Sequence, residues 1–284
     1  MTGGGSIGDE VISANVAFYR EVASKYDQYE SCTKEDFYQR MLEEDLDQMR
    51  GQLDAGGVRC LDCGGGSGNL TLKLLKRGWH VTVVDVSPEM LEISRAKIQA
   101  LGYVADFVND SVEHFLSSCS QNYDVVTFSS VLHHLYSPQD VVKEVARRIR
   151  PGGFFYSNFD PAIPSSRLLA TCFSNFDTIL AKILLDRQDL IPGIFRRIRK
   201  LTNALDTAHG RVVVSAGDLA EYHAKKGLDD GSLAETLRGL GFTVRVEHYP
   251  VGRTKLALWC NRHLHALGSF KILARRGSSP NLEA

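Results

Sequence analysis

The sequence predicts an α/β protein, a doubly wound and mostly parallel sheet of seven strands with helices on both faces. Three observations lead there. Short apolar runs at residues 58–63, 81–86, 104–108, 123–129 and 154–159 alternate with helical stretches. Runs such as Val81-Thr82-Val83-Val84 and Val125-Val126-Thr127-Phe128 are apolar on both sides, as strands covered by helices on each face must be. A glycine-dense turn, Gly64 to Gly68, separates the first strand from the helix after it.

Each element follows from its local pattern. Residues 1–10 are Gly-rich and polar and read as a disordered tail. Over 11–57 the period is helical: Val16, Tyr19, Val22, Ala23 and Tyr26 recur at three- and four-residue steps, as do Phe37, Met41 and Leu42. The core spans 58–160. Its first helix, 70–76, stops at Gly78, and its second opens at Ser87-Pro88, with Ser as N-cap and Pro at the first helical position. A third passes through Phe115 and Leu116, and a fourth opens at Ser137-Pro138. Pro151-Gly152-Gly153 turns the chain into the fifth strand. After Pro161 the alternation stops. Residues 161–214 read as a helical insert with an apolar side that includes Phe173 and Phe176, followed by Phe195 and a basic face of Arg196, Arg197, Arg199 and Lys200. Residues 215–260 return to the core with two helices and then strands at 242–247 and 254–259, joined through Pro250 and Gly252 as an antiparallel hairpin. Residues 261–284 read as a basic helical tail.

Composition narrows the function classes. With 284 residues, 43% hydrophobic and 24% charged, the chain can bury a sizeable core without cross-links. A net charge of -1 argues against nucleic acid as a general partner. The six cysteines are scattered. Cys60 and Cys63 form a C-x-x-C inside a strand with no second pair at zinc spacing, so buried thiols are expected and no metal. The N-terminus carries no basic-then-apolar leader, and no apolar run approaches the ~18 residues of a membrane span, so a cytoplasmic setting is expected.

The turn Leu61-Asp62-Cys63-Gly64-Gly65-Gly66-Ser67-Gly68-Asn69 carries the chemistry. Glycines let the backbone bend sharply and bring it close to a ligand, at the strand ends where open α/β sheets bind. Asp85 closes the second strand, where a carboxylate accepts hydrogen bonds from a ribose diol. A dinucleotide fingerprint fails, because its last glycine would fall at Asn69 or Thr71. No G-K-[ST] follows, so a P-loop is excluded. Asp62 would repel a pyrophosphate but attract a sulfonium and an ammonium, which favours a cationic nucleoside without phosphates.

These blocks, in this order, resemble the class I (Rossmann-like) S-adenosylmethionine-dependent methyltransferases. LDCGGGSGN is similar to the family's first motif, VVDVSPEML to its second strand, FVNDSVEHF to its third block, YDVVTFSSVLHHL to its fourth strand and turn, and RIRPGGFFYSNF to its fifth-strand entry. FYREVASKYDQY resembles the N-terminal helix that folds over the cofactor. The resemblance covers residues 16–160 well and 215–260 loosely. It implies S-adenosyl-L-methionine as cofactor, held by Asp62, Gly64, Gly66 and Gly68 at the turn and by Asp85 at the ribose. Asp110 would meet the adenine amino group and Ser111 a ring edge, with Ser129 and Tyr26 also against the cofactor. His133 and His134 are the candidate general bases, or else pack against the cofactor. Tyr19 and Tyr29 close the site from above, or simply pack their helix face. Asp160 faces the acceptor pocket. The insert 161–214 would be a substrate lid, its aromatics either lining that pocket or forming the core of a helical cap.

The expected activity is methyl transfer to a small-molecule acceptor at oxygen, nitrogen or carbon. No N/D-P-P-[YF] motif follows the fourth strand. A protein or RNA methyltransferase, a non-catalytic cofactor-binding or scaffold protein of the same fold, and an NAD-dependent oxidoreductase are the alternatives.

Overall fold

The computed structural model describes residues 6–23, 26, 35–54, 56–164, 177, 222–223, 226–252, 254–264 and 268–278. Two helices precede the sheet, α1 (Ile7–Val22) and α2 (Asp36–Arg50). Within the stretch 1–10 that was expected to be a disordered tail, α1 already begins at Ile7. Ser6 Oγ accepts the Asp9 backbone N–H, and the Asp9 carboxylate accepts the Ser6 backbone N–H, a reciprocal cap that satisfies two donors at the helix start. The buried stripe of α1 is Val11, Ala14 and Asn15, one step round from the Val16–Val22 face. The helix lies over the rim of a cleft, so only a narrow strip is covered.

The core then runs β1 (Arg59–Cys63), α3 (Asn69–Lys76), β2 (His80–Asp85), α4 (Pro88–Ala100), β3 (Asp106–Asn109), α5 (Val112–Ser118), β4 (Tyr123–Ser129), α6 (Pro138–Arg148) and β5 (Ile149–Pro161). After the insert come α7 (Asp230–Gly239), β6 (Phe242–Pro250), α8 (Lys255–Leu264) and β7 (Gly268–Arg276). The seven strands form one sheet in the order β3-β2-β1-β4-β5-β7-β6. β1 to β5 pair in parallel, and β7 runs antiparallel to both β5 and β6. This is the expected doubly wound, mostly parallel sheet with an antiparallel pair at its C-terminal end.

The residues of that last pair differ from expectation. The stretch 254–259 opens helix α8, and the supposed tail contains β7, threaded between β5 and β6. A short apolar run does not by itself distinguish strand from helix. The basic residues of β7 disguised a buried strand: Phe270, Ile272, Leu273 and Ala274 are all buried, and Lys271 between them is matched by Asp45 and Glu247 at 2.6 and 3.1 Å.

Each face of the sheet has its own core. On one, Leu61, Val126, Phe128 and Phe155 meet α5, α6 and α7 through Leu116, Val142, Val145 and Leu237. On the other, Val83, Val125 and Tyr156 meet α2, α3 and α4 through Leu42, Leu46, Leu74 and Ile98. Full burial of each such side chain contributes about 1.5–3 kcal/mol. The chain leaves β1 for β2 and β3 and then crosses back to β4. The order therefore reverses between β1 and β4, and a crevice opens at their carboxyl ends.

Most of the expected lid 161–214, with Phe173, Phe176, Phe195, Arg196, Arg197, Arg199 and Lys200, lies outside the described residues, as does Tyr29. Its first residues, 161–164, are described, as is the chain beyond it over 226–252. Ala162 and Leu228 form a parallel bridge, and the Leu228 N–H donates to Pro161 O at 2.8 Å.

Candidate functional site

The crevice at the switch point is a cleft of about 690 Å³. Its floor is the turn after β1. Gly64, Gly66 and Gly68 all have positive φ, of 64°, 53° and 83°. A Cβ on Gly64 would lie 2.5 Å from Val131 Cγ2, and one on Gly68 would lie 2.4 Å from Ser94 Oγ. These two glycines are therefore packing requirements. On Gly66 the nearest group would be Met90 Cε at 3.4 Å, so here the bare backbone faces the cleft. Gly68 is buried and does not line the cleft.

Asp62 is placed differently from the sequence expectation. Strand alternation points its side chain beneath the turn, where it is 1% exposed and does not line the cleft. Its carboxylate accepts hydroxyl hydrogen bonds from Thr71 at 2.6 Å and Thr127 at 2.9 Å. Burial pushes its pKa up to about 6 against these two bonds. Asp62 therefore ties β1, β4 and α3 together and stays out of the cleft.

Asp85 does line the cleft, at the tip of β2. One oxygen accepts the Gly66 N–H and the other the Ser87 N–H, both at 2.8 Å. Each carboxylate oxygen keeps a further lone pair. Burial raises its pKa against those two amide bonds. Asp110 also lines the cleft, with its carboxylate held by the Ser111 N–H at 2.8 Å and paired with His114 Nδ1 at 2.6 Å. Ser111 does not line the cleft. Its hydroxyl caps α5 by accepting the His114 N–H. Ser129 and Tyr26 line the cleft.

The two histidines part company. Residues 132–134 form a single 3-10 turn after β4, which sends adjacent side chains to different sides. His134 lines the cleft, and its Nε2 is 2.9 Å from the Tyr19 hydroxyl of α1. His133 is buried behind it, with its ring centroid 4.0 Å from that of His134. The His133 Nδ1 is 2.8 Å from Asp160 Oδ1, and burial lowers its pKa to about 4. Asp160 is fully buried against this turn rather than facing the cleft, and burial raises its pKa to about 7. Ser130 and Phe159 are the two non-glycine residues with positive φ among those described, at 60° and 61°. Such conformations cost on the order of 1–3 kcal/mol each and concentrate where function requires a fixed geometry.

Sequence reasoning missed several walls of the cleft. Val11, Ile12 and Asn15 come from α1, Met90 from α4, Val112 and Glu113 from α5, and Ser130, Val131 and Leu135 from the β4 turn. A helical repeat drawn through Val11 and Asn15 would have found the α1 face. Asn15 donates to Val11 O at 2.9 Å and to His134 O at 3.4 Å, so α1 is held to the β4 turn beside the histidine.

The sequence of the turn and the strands around it matches, over residues 61–157, the protein family described as "Methyltransferase domain". Over that stretch the chain is similar to a methyltransferase domain. Two curated relatives place it more closely. The ubiquinone biosynthesis O-methyltransferase of Xanthomonas oryzae pv. oryzae (strain PXO99A) is 30% identical over 125 residues, 44% of this chain and 52% of the relative. Its namesake in Klebsiella pneumoniae subsp. pneumoniae is 36% identical over 105 residues, 37% of this chain and 43% of the relative. The chain thus spans about half the length of the curated relatives it matches. Among solved structures, the magnesium protoporphyrin IX methyltransferase of Synechocystis PCC 6803 with bound SAM superposes at a TM-score of 0.56. It is 14% identical, with 98% of this chain and 100% of that chain covered. The [4+2]-cyclase SpnF superposes at 0.57, also at 14% identity, with 94% and 97% covered. At such identity these neighbours establish the fold alone, and the cyclase is a reminder that one fold hosts more than one reaction. Among the described residues of the chain, no helix is long and apolar enough to cross a membrane.

Proposed function

We propose that the chain binds S-adenosyl-L-methionine and methylates a hydroxyl group of a small-molecule acceptor. The observation that carries this reading is the Tyr19–His134 pair, 2.9 Å apart at the cleft whose other side holds Gly66 and Asp85. The lining supports a cationic nucleoside. Among the described lining residues are three carboxylates, Asp85, Asp110 and Glu113, and no lysine or arginine, a poor setting for a pyrophosphate. Val86, Met90 and Val112 offer apolar contact for a base, Asp85 a ribose acceptor, and Gly66 a close backbone approach.

When bound, the cofactor supplies a methyl group already activated on a sulfonium. The chain then has to orient the acceptor and take its proton. Orientation contributes on the order of 7–11 kcal/mol in favourable cases. His134 receives the proton at the cleft, because an imidazole is matched to neutral pH, and the Tyr19 hydroxyl holds the ring in place. His133 is not the base: it is buried, points to Asp160 and does not line the cleft. The O-methyltransferase names of the curated relatives favour oxygen as the acceptor atom. Free Cys60, Cys63 and Cys119 suit a reducing, cytoplasmic setting.

Calorimetry with S-adenosylmethionine and S-adenosylhomocysteine tests the binding half. Micromolar affinity for both and no response to NADH are expected, and absence of binding at millimolar ligand would overturn the reading. A panel of hydroxylated aromatics with labelled methyl donor tests the transfer half. With the best acceptor, His134→Gln is expected to lower kcat by about 100-fold and Tyr19→Phe by about tenfold, with cofactor affinity within about threefold. A kcat unchanged in His134→Gln removes the histidine from the mechanism.

A further inference from the structure

We propose that Asp160 is a positioning residue: from the end of β5 its carboxylate grips the turn 131–134, keeping His134 against Tyr19 and Val131 against Gly64. The inference rests on the methyltransferase reading for what the turn does, but not for how the turn is held.

The grip is explicit. Asp160 Oδ1 accepts the His133 backbone N–H at 3.1 Å and lies 2.8 Å from His133 Nδ1. Its other oxygen, Oδ2, is buried with no hydrogen-bond partner among the described residues, so the whole hold runs through Oδ1 and His133.

The backbone is bent at two points to make this contact. Between Ser157 and Asp160 the β5–β7 register slips: three steps along β5 face two along β7, from Ile272 to Phe270. Such a bulge re-aims the side chain that follows it. Phe159 takes up the bend at φ 61°, with its N–H donating to the Tyr249 hydroxyl at 2.8 Å. On the facing strand Ser130 adopts φ 60° and its N–H donates to Asn158 O at 2.8 Å. Two left-handed non-glycine residues thus flank one buried carboxylate.

The gripped turn touches both halves of the site. Val131 fills the space beside Gly64 that a Cβ would need, and His134 faces the cleft. The His133 carbonyl accepts the His223 N–H at 2.9 Å, so the chain returning from the insert hangs on the same turn. The other ionisable groups bearing on the pair are His134 and His223.

The test is NMR on the full chain, wild type against Asp160→Asn, from pH 5.5 to 8.5. In wild type the amides of Val131, Leu132 and His133 should shift together near pH 7, the value to which burial raises Asp160, and the Tyr19 and His134 rings should show a mutual contact. Both signatures are expected to vanish in Asp160→Asn. Their persistence in the variant overturns the proposal, as does the absence of the amide step from wild type. Should Asp160→Asn not fold, His133→Leu replaces it. Losing the imidazole donor should move the amide step to higher pH, and an unchanged midpoint is equally fatal. S-adenosylhomocysteine added to wild type separates the two readings. If it shifts no cleft signal the methyltransferase reading fails, while the amide step still decides the role of Asp160.

Discussion

Asp85→Ala is expected to weaken S-adenosylmethionine binding by at least about 100-fold while leaving a cooperatively folded domain. A carboxylate accepting from two ribose hydroxyls makes two charge-assisted hydrogen bonds, each worth about 1.5–3 kcal/mol, or about 3–6 kcal/mol together. The same oxygens hold the Gly66 and Ser87 amides at 2.8 Å, so the alanine also frees the floor of the cleft and the start of α4. Fold loss should be small by comparison, because Asp85 sits at the tip of β2 and the sheet contacts of Val83 and Val84 persist. Calorimetry measures the affinity and thermal unfolding the fold. An affinity within threefold of wild type would remove Asp85 from the ribose site.

The second large effect concerns Asp62. Asp62→Ala leaves the Thr71 and Thr127 hydroxyls without their shared acceptor in a buried space, which should lower stability by about 2–4 kcal/mol. Asp62→Asn keeps an acceptor and isolates the charge. In the folded chain Asp62 stays protonated up to about pH 6, whereas its ordinary value is 3.8. The folded state therefore binds the extra proton between these values, and the stability due to this residue falls as pH rises through that window, by about 3 kcal/mol. Relative to wild type, Asp62→Asn should gain stability from pH 4 to pH 7, read by denaturant unfolding at the two pH values. A flat difference would mean that Asp62 is not raised. The ionised, buried carboxylate costs stability at neutral pH, and a cation in the cleft offsets that cost. Asp62→Asn should therefore weaken the sulfonium ligand more than S-adenosylhomocysteine, by a ratio of about fivefold, equivalent to about 1 kcal/mol of screened attraction.

Much of this protein was legible in one dimension. The parallel half of the sheet could be read because a strand buried on both faces is largely apolar, as the centres of β2 and β4 are at Val83-Val84 and Val125-Val126. The glycine turn was legible because glycine adopts φ values of 53° to 83° without strain, and three such positions fall within five residues. The helix start at Ser87 was visible in the side chain that caps it. Local rules failed at the C-terminal pair. β7 carries Lys271 into the sheet, and what permits a lysine there is Asp45, 226 residues away in sequence. A partner that remote leaves no trace in a local pattern.

The site divides along the same line. Ligand class was written in the sequence, because Asp85 and the glycines act through backbone conformation and strand ends, which are local properties. The division of labour between His133 and His134 was not. Adjacent residues with the same chemistry differ only in where one 3-10 turn sends them, one to Tyr19 at the cleft and the other to Asp160 behind it. Asp62 followed the same logic in reverse: tertiary packing against Thr71 and Thr127 put it under the turn, out of the cleft. The sequence by itself determined the parallel part of the sheet and the glycine turn. The tertiary structure alone decided which acidic and basic groups reach that cleft, because their neighbours come from strands and helices far apart in the chain.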